Sequence, residues 1–185
     1  MEPVRLHLGC GKRKLKGYIH VDHGKFPHLD YNQDIRFLPM FKDNSVDLIY
    51  ASHVLEYFDR VEVLAVLKEW KRVLKKGGIL RLAVPDYEAL IKVYRKTKDL
   101  NKVLGPLFGR WAIAKTKFII YHKTVYDFAS LNGILLQSGF NKVRRWDWRK
   151  VFVKELQGYD DYSQAYFPHM DQKGILISLN VEAQK

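Results

Sequence analysis

The first apolar stretch, Val4–Leu8, stops abruptly at Gly9-Cys10-Gly11. A buried strand that ends in Gly-x-Gly leaves bare backbone at its carboxyl tip, where a ligand can come close. Apolar runs ended by polar or turn residues predict further strands at Tyr18–Asp22, Val46–Ala51 and Ile79–Val84. Val63, Leu64, Leu67, Trp70 and Leu74 recur at helical spacing and predict a helix over 59–75, with Gly77-Gly78 as its left-handed cap. Residues 23–32, with Gly24 and Pro27, read as loop. A basic amphipathic helix is expected over 88–104. A capping box at Thr124 and Asp127 opens a helix that runs to Ser138 and closes at Gly139, and late strands are expected over 140–148 and 174–181.

This order of strands and helices predicts an α/β fold around a parallel sheet. Lys12–Gly17 alone separate the first two strands, so the usual crossover helix is expected to be shortened or absent. No repeat or low-complexity linker divides the chain. Residues 1–185 read as one domain, with 88–125 as a basic helical insertion and 155–173 as an aromatic and acidic loop.

Composition narrows the picture. The chain has 185 residues, 47% of them hydrophobic, which is enough for a core and argues against disorder. No apolar run approaches the roughly 18 residues of a membrane span. The N-terminal residues lack a signal peptide's charged and apolar regions, and a single cysteine excludes an internal disulfide; a cytoplasmic setting is expected. The net charge of +12 is clustered: residues 89–125 carry nine lysines and arginines against Asp99 alone, and 142–154 carry six against Asp147. Such clusters suit an anionic partner, whether nucleic acid, a phosphorylated molecule or an acidic membrane surface, or serve only as solvated faces.

Candidate chemistry follows from position. An acid at the end of the second strand of such a sheet, here Asp22, is placed to hydrogen-bond a ribose. Asp34 is a second acid near a strand end. A dinucleotide fingerprint would need a third glycine opening a helix and an acid about 20 residues on; Lys14 and the nearby Asp22 disfavour NAD. The Gly-Lys-Ser/Thr of a phosphate-binding loop is absent, and the scattered histidines form no close metal-binding pair, so no metal is expected. Cys10, small and held between two glycines, reads as packing rather than as a nucleophile.

The ordered segments Leu6–Gly11, Val21-Asp22, Asp34-Ile35, Ser45–Glu56 and Arg72–Arg81 resemble the class I S-adenosylmethionine-dependent methyltransferases, in particular small bacterial type 11-like proteins. The resemblance covers about residues 4–86 and returns around Ser138-Gly139-Phe140. It implies a Rossmann-like fold with a mostly parallel sheet, an antiparallel C-terminal strand and S-adenosyl-L-methionine as cofactor. By position, His7, Leu8, Gly9, Cys10 and Gly11 would bind the cofactor, the last three cradling its methionine part. Asp22 would hold the ribose. Asp34 would meet the adenine amino group with the Ile35 backbone beside it, and Ser52 and His53 would line the sulfonium. The family often has an acid where His7 stands and a glycine where Arg13 stands.

A methyl on a sulfonium needs no metal, but a hydroxyl acceptor needs a base. His53, Asp86 and His122 are the catalytic candidates, each with a structural alternative as a cap or a hydrogen-bonded core group. His169, Asp160 and Asp161 lie in the aromatic loop. The Asn/Asp-Pro-Pro-aromatic motif of base N-methyltransferases is absent after the fourth strand, and no cysteine suits pyrimidine-carbon methylation. The expected activity is O-methylation of a sugar, glycan or other small polar acceptor, with an anionic group to match the basic segments. An RNA-directed methyltransferase and a non-catalytic binding module are the alternatives.

Overall fold

Successive side chains of a strand point to opposite faces, so alternation decides what each residue meets. In the computed structural model, which describes residues 2–112, 118–152, 162–168 and 172–185, β1 (Arg5–Leu8) puts Leu6 and Leu8 on one face and His7 on the other. β2 (Ile19–Asp22) pairs with it in parallel, and β3 (Tyr31–Asn32) adds a short edge within the segment expected to be loop. β4 (Val46–Ser52) lies parallel on the other side of β1. The helix α1 (Glu62–Val73) leads directly into β5 (Leu74–Pro85), parallel to β4. Next come α2 (Tyr87–Thr97), α3 (Asn101–Phe108) and the antiparallel pair of β6 (Trp111–Ala112) and β7 (Ile119–Ile120). α4 (Phe128–Gln137), β8 (Asn141–Arg145) and the single turn α5 (Trp148–Val151) follow. β9 (Tyr166–Phe167) pairs with β10 (Ile175–Leu176), and β11 (Ser178–Gln184) returns antiparallel between β5 and β8. Among the described residues the main sheet has seven strands in the order β3-β2-β1-β4-β5-β11-β8, the mostly parallel α/β arrangement expected.

The two faces are covered differently. One carries α1 and α4, whose Val63, Val66, Leu67, Trp70, Leu131 and Leu135 pack on Leu6, Leu8, Ile49, Leu80 and Leu179. Each of these burials contributes about 2 kcal/mol on transfer from water. Trp70 satisfies its buried indole N–H at the Ile35 carbonyl, 2.8 Å away. The other face has no long helix among the described residues; Leu15, Tyr50, Trp146, Trp148, Phe152 and Tyr166 form its aromatic layer. As expected, residues 9–18 return from β1 to β2 without a helix. Strands of four residues are only about 13 Å long, so a loop suffices. Leu15, fully buried, takes the place of a helix face, and its N–H donates to His20 Nε2 at 2.9 Å.

Several boundaries move, each for a local reason. Gly77-Gly78 do not cap α1, which ends at Val73; Gly77 sits inside β5 at φ +77 and makes a bulge. A Cβ on Gly78 would lie 2.9 Å from the Lys75 carbonyl, so both glycines serve the strand. The helix expected over 88–104 is two helices, divided at Lys98, whose φ of +54 no helix sustains. The last long helix begins after Asp127, not Thr124: Asp127 accepts from Ser130 N, and Ser130 Oγ accepts from Asp127 N. The strand expected over 140–148 ends at Arg145, and Trp148 instead opens α5. The aromatic loop residues Tyr159, Asp160, Asp161, His169 and Asp171 lie outside the described residues. No helix among the described residues is long and apolar enough to cross a membrane.

Candidate active site

Gly9–Gly11, Asp22 and Ser52-His53 stand at the carboxyl ends of β1, β2 and β4. Gly9 and Gly11 turn the chain off β1 at φ +62 and +55, a region open to glycine. A Cβ on Gly9 would lie 2.4 Å from Val54 Cγ2, so the bare turn lets the segment after β4 close against it. A Cβ on Gly11 would meet nothing nearer than Arg13, 3.9 Å away. Asp22 binds this turn to the next: Gly11 N donates to Oδ2 at 2.8 Å and Gly24 N to Oδ1 at 2.7 Å. Each carboxylate oxygen keeps a second lone pair, which is what a ribose diol requires.

The neighbouring candidates divide. Leu8 is core and His7 packs 5.2 Å from the Tyr50 ring, so their side chains belong to the two faces of the sheet and only their backbone leads to the turn. Cys10 is buried; burial, reinforced by Asp22, pushes its thiol up to about 12, which fits packing rather than nucleophilic attack. Asp34 lies just past β3, and Arg36 grips both of its oxygens, at 2.6 Å for the closest contact. Partial burial opposes its ionisation, but the Arg36 hydrogen bonds prevail and hold the carboxyl below the usual range. The Ile35 carbonyl is taken by Trp70, which leaves its N–H as the group able to meet a ligand. Asp86 caps α2 by accepting from Glu88 N and Ala89 N, with Arg145 at 3.7 Å; the structural alternative accounts for it.

His53 and His122 converge. His53 follows Ser52 at the end of β4 with φ +52, a conformation rare outside glycine. Its Nε2 lies 3.2 Å from Ser178 Oγ, and its Nδ1 lies 3.3 Å from Glu56 Oε1. His122 Nδ1 donates to the Pro106 carbonyl at 2.9 Å, and its Nε2 stands 3.9 Å from the same Glu56 oxygen. Gly109 makes room for this ring, since a Cβ there would lie 2.8 Å from it. Burial pulls His122 below the ordinary histidine range and keeps it neutral, although Glu56 pushes the other way.

Glu56 is fully buried, and neither oxygen has a hydrogen-bond partner among the described residues. The hydrogen-bond chain beside it assigns a proton. Asn180 Nδ2 donates to the Ser163 carbonyl at 2.7 Å, so Asn180 Oδ1 accepts from Ser178 Oγ at 3.0 Å. Ser178 Oγ is then left to accept from His53 Nε2–H. Nδ1 thus faces Glu56 Oε1, 3.3 Å away. Glu56 is a candidate that reading for histidines and aspartates missed. Its signal was an acid three residues after His53 in an otherwise apolar turn.

Aromatic groups wall this edge. The Tyr162 ring is 5.2 Å from the His53 ring, with the Arg13 guanidinium 4.5 Å above it and Trp111 at 6.1 Å. Arg13, the departure at a glycine position, therefore braces the wall. No group of three or more His, Cys, Asp or Glu side chains among the described residues is placed to hold a metal ion.

Known proteins match this arrangement. A family model described as a methyltransferase domain matches residues 16–82. The demethylmenaquinone methyltransferase of Staphylococcus haemolyticus is 30% identical over 144 residues, covering 75% of this chain and 55% of that protein. An uncharacterized Methanocaldococcus jannaschii protein is 32% identical over 123 residues, covering 65% of this chain and 51% of that protein. The chain thus spans about half the length of these curated relatives. Among solved structures, a Methanosarcina mazei S-adenosylmethionine-dependent methyltransferase superimposes with a TM-score of 0.58 at 19% identity, covering 100% of this chain and 94% of that one. The Burkholderia thailandensis 1,6-didemethyltoxoflavin-N1-methyltransferase, solved with S-adenosylhomocysteine, gives 0.59 at 14% identity, covering 100% and 72%. The glycine turn, the acid-tipped second strand and the sheet order are those of the class I S-adenosylmethionine-dependent methyltransferase fold, and residues 16–82 match a methyltransferase domain.

Proposed function

We propose that this chain transfers a methyl group from S-adenosylmethionine to a hydroxyl of a small polar or glycan-like acceptor that carries an anionic group. The observation that carries this reading is the convergence of His53 and His122 on buried Glu56 beside the glycine turn. The cofactor, when bound, supplies an electrophilic methyl. The bare peptide of Gly9–Gly11 would hold its amino-acid part, Asp22 its ribose, and Asp34 with the Ile35 N–H its adenine, while Ser52 and His53 border the reacting end.

A hydroxyl acceptor releases a proton as its oxygen is methylated. His122 is built to take it: Pro106 fixes the Nδ1–H, burial keeps the ring neutral, and Glu56 offsets the imidazolium charge that forms. His53, held by Ser178 and Glu56, orients the edge. The Tyr162 and Trp111 rings keep water from the same place. The basic segments suit the acceptor's anionic group.

Calorimetric titration with S-adenosylmethionine, followed by a panel of hydroxylated anionic acceptors and demethylmenaquinone, tests the reading. Asp22→Asn should weaken cofactor binding by about tenfold or more. His122→Asn should leave that affinity intact and lower turnover by about 10²-fold or more. No cofactor binding, or methylation of RNA alone, would refute the proposal.

A further inference from the structure

From Leu100 to Tyr126 the chain contains no aspartate or glutamate and five lysines and arginines. The same stretch turns large apolar side chains to solvent: Leu100 is 56% exposed, Phe108 58%, Trp111 49%, Phe118 73% and Tyr121 50%. On α3, Leu104 lies four residues from both Leu100 and Phe108 and continues one exposed stripe, while Val103 is buried with Leu90 and Val93 and anchors the helix. Large apolar side chains exposed together in one segment mark an interaction site.

The chemistry selects the partner. Cations and exposed rings alone would also suit a nucleic acid, but the aliphatic stripe of Leu100 and Leu104 gives a nucleic acid nothing to stack on or pair with. A second copy of this chain would bring like charge against like. An anionic bilayer surface accepts both halves, since aliphatic and ring side chains enter the headgroup boundary and exposed cations meet lipid phosphates. We propose that α3 and the strands β6 and β7 form a docking surface for an anionic lipid bilayer, with Leu104, Phe108 and Trp111 entering it and Lys98, Lys102 and Arg110 facing its phosphates. Lys123 pairs instead with Glu62 at 2.7 Å and contributes little charge. The surface adjoins the histidine pair, because His122 N donates to the Phe108 carbonyl at 2.8 Å and Lys123 N to the Glu56 carbonyl at 2.8 Å. A docked chain therefore holds that edge close to the headgroup layer.

The test needs neither cofactor nor acceptor, so its failure would leave the methyl-transfer reading standing. The full chain is sedimented with mixed phosphatidylglycerol–phosphatidylcholine vesicles, with phosphatidylcholine vesicles, and titrated with poly(U) RNA. Binding to the anionic vesicles that fades with added salt is expected, and the Leu104→Ser/Phe108→Ser pair should weaken it about tenfold while unfolding at the parent temperature. Lys102→Gln/Arg110→Gln should weaken it too. Trp70, Trp146 and Trp148 are buried, so the blue shift of tryptophan emission on binding should vanish in Trp111→Phe. Equal binding to both vesicle types, no vesicle binding, poly(U) binding that survives the apolar pair, or self-association abolished by it would overturn the proposal.

Discussion

At the scale of single residues, the two glycines of the first turn do different things. Gly9 needs both its positive φ and its missing Cβ, because Val54 is packed against it; Gly11 needs only its φ. Gly9→Ala should therefore cost about 2–4 kcal/mol of stability and Gly11→Ala about 1 kcal/mol, measured by denaturant unfolding. Equal losses would contradict the close approach of Val54. The glycine turn and the position of Asp22 at the tip of β2 were legible in the sequence, because apolar runs broken by Gly-x-Gly and by an acid mark where strands end. Glu56 was not, since an acid on a short apolar turn reads as a solvated tip until His53 and His122 are seen to enclose it. Asp86 shows why position alone does not decide a role: it caps α2, and helix caps and catalytic acids occupy the same kind of place at a strand end.

At the scale of elements, the strands and α1 were legible from apolar periodicity, and the absent first crossover helix from the shortness of Lys12–Gly17. The substitute for that helix was not. Leu15 is held over the sheet by His20, whose Nδ1 faces Asp30 at 3.3 Å and whose Nε2 accepts from Leu15 N. This contact requires Nε2 to be unprotonated. Burial lowers the His20 pKa, and that of His122, below the ordinary value. Between the lowered and the ordinary value the unfolded chain binds more protons than the folded one. The stability they contribute is thus full above about pH 6.5 and falls as pH drops below it. The melting temperature should decline over that interval, and His20→Gln, which can accept the Leu15 N–H without titrating, should flatten the decline. Glu182 also responds to acid but in a lower window. Burial opposes its ionisation, yet Arg81 and Arg144 hold it below the usual carboxylate range, so its contribution fades only beneath about pH 4. An unchanged slope in His20→Gln would remove the histidine from this account.

At the scale of the whole molecule, both long helices that pack on the sheet, α1 and α4, lie on one face, and the other is closed by rings and a pinned loop. The chain carries 32 lysines and arginines against 20 aspartates and glutamates, a net charge of +12. Net self-repulsion should make the fold more stable as salt rises to about 0.5 M, seen as a higher melting temperature. A falling melting temperature would mean that ion pairs such as Arg81 with Glu182, at 2.8 Å, outweigh the repulsion. The position of β11 has a temporal consequence. Among the described residues β8 pairs with the sheet only through β11, which is made after it, so a growing chain carries β8 as a loose ribbon until residues 178–184 have been synthesised and threaded beside β5. Until that moment α4 has only part of its floor, and a ribosome stalled short of it would hold out an apolar helix for chaperones to shelter.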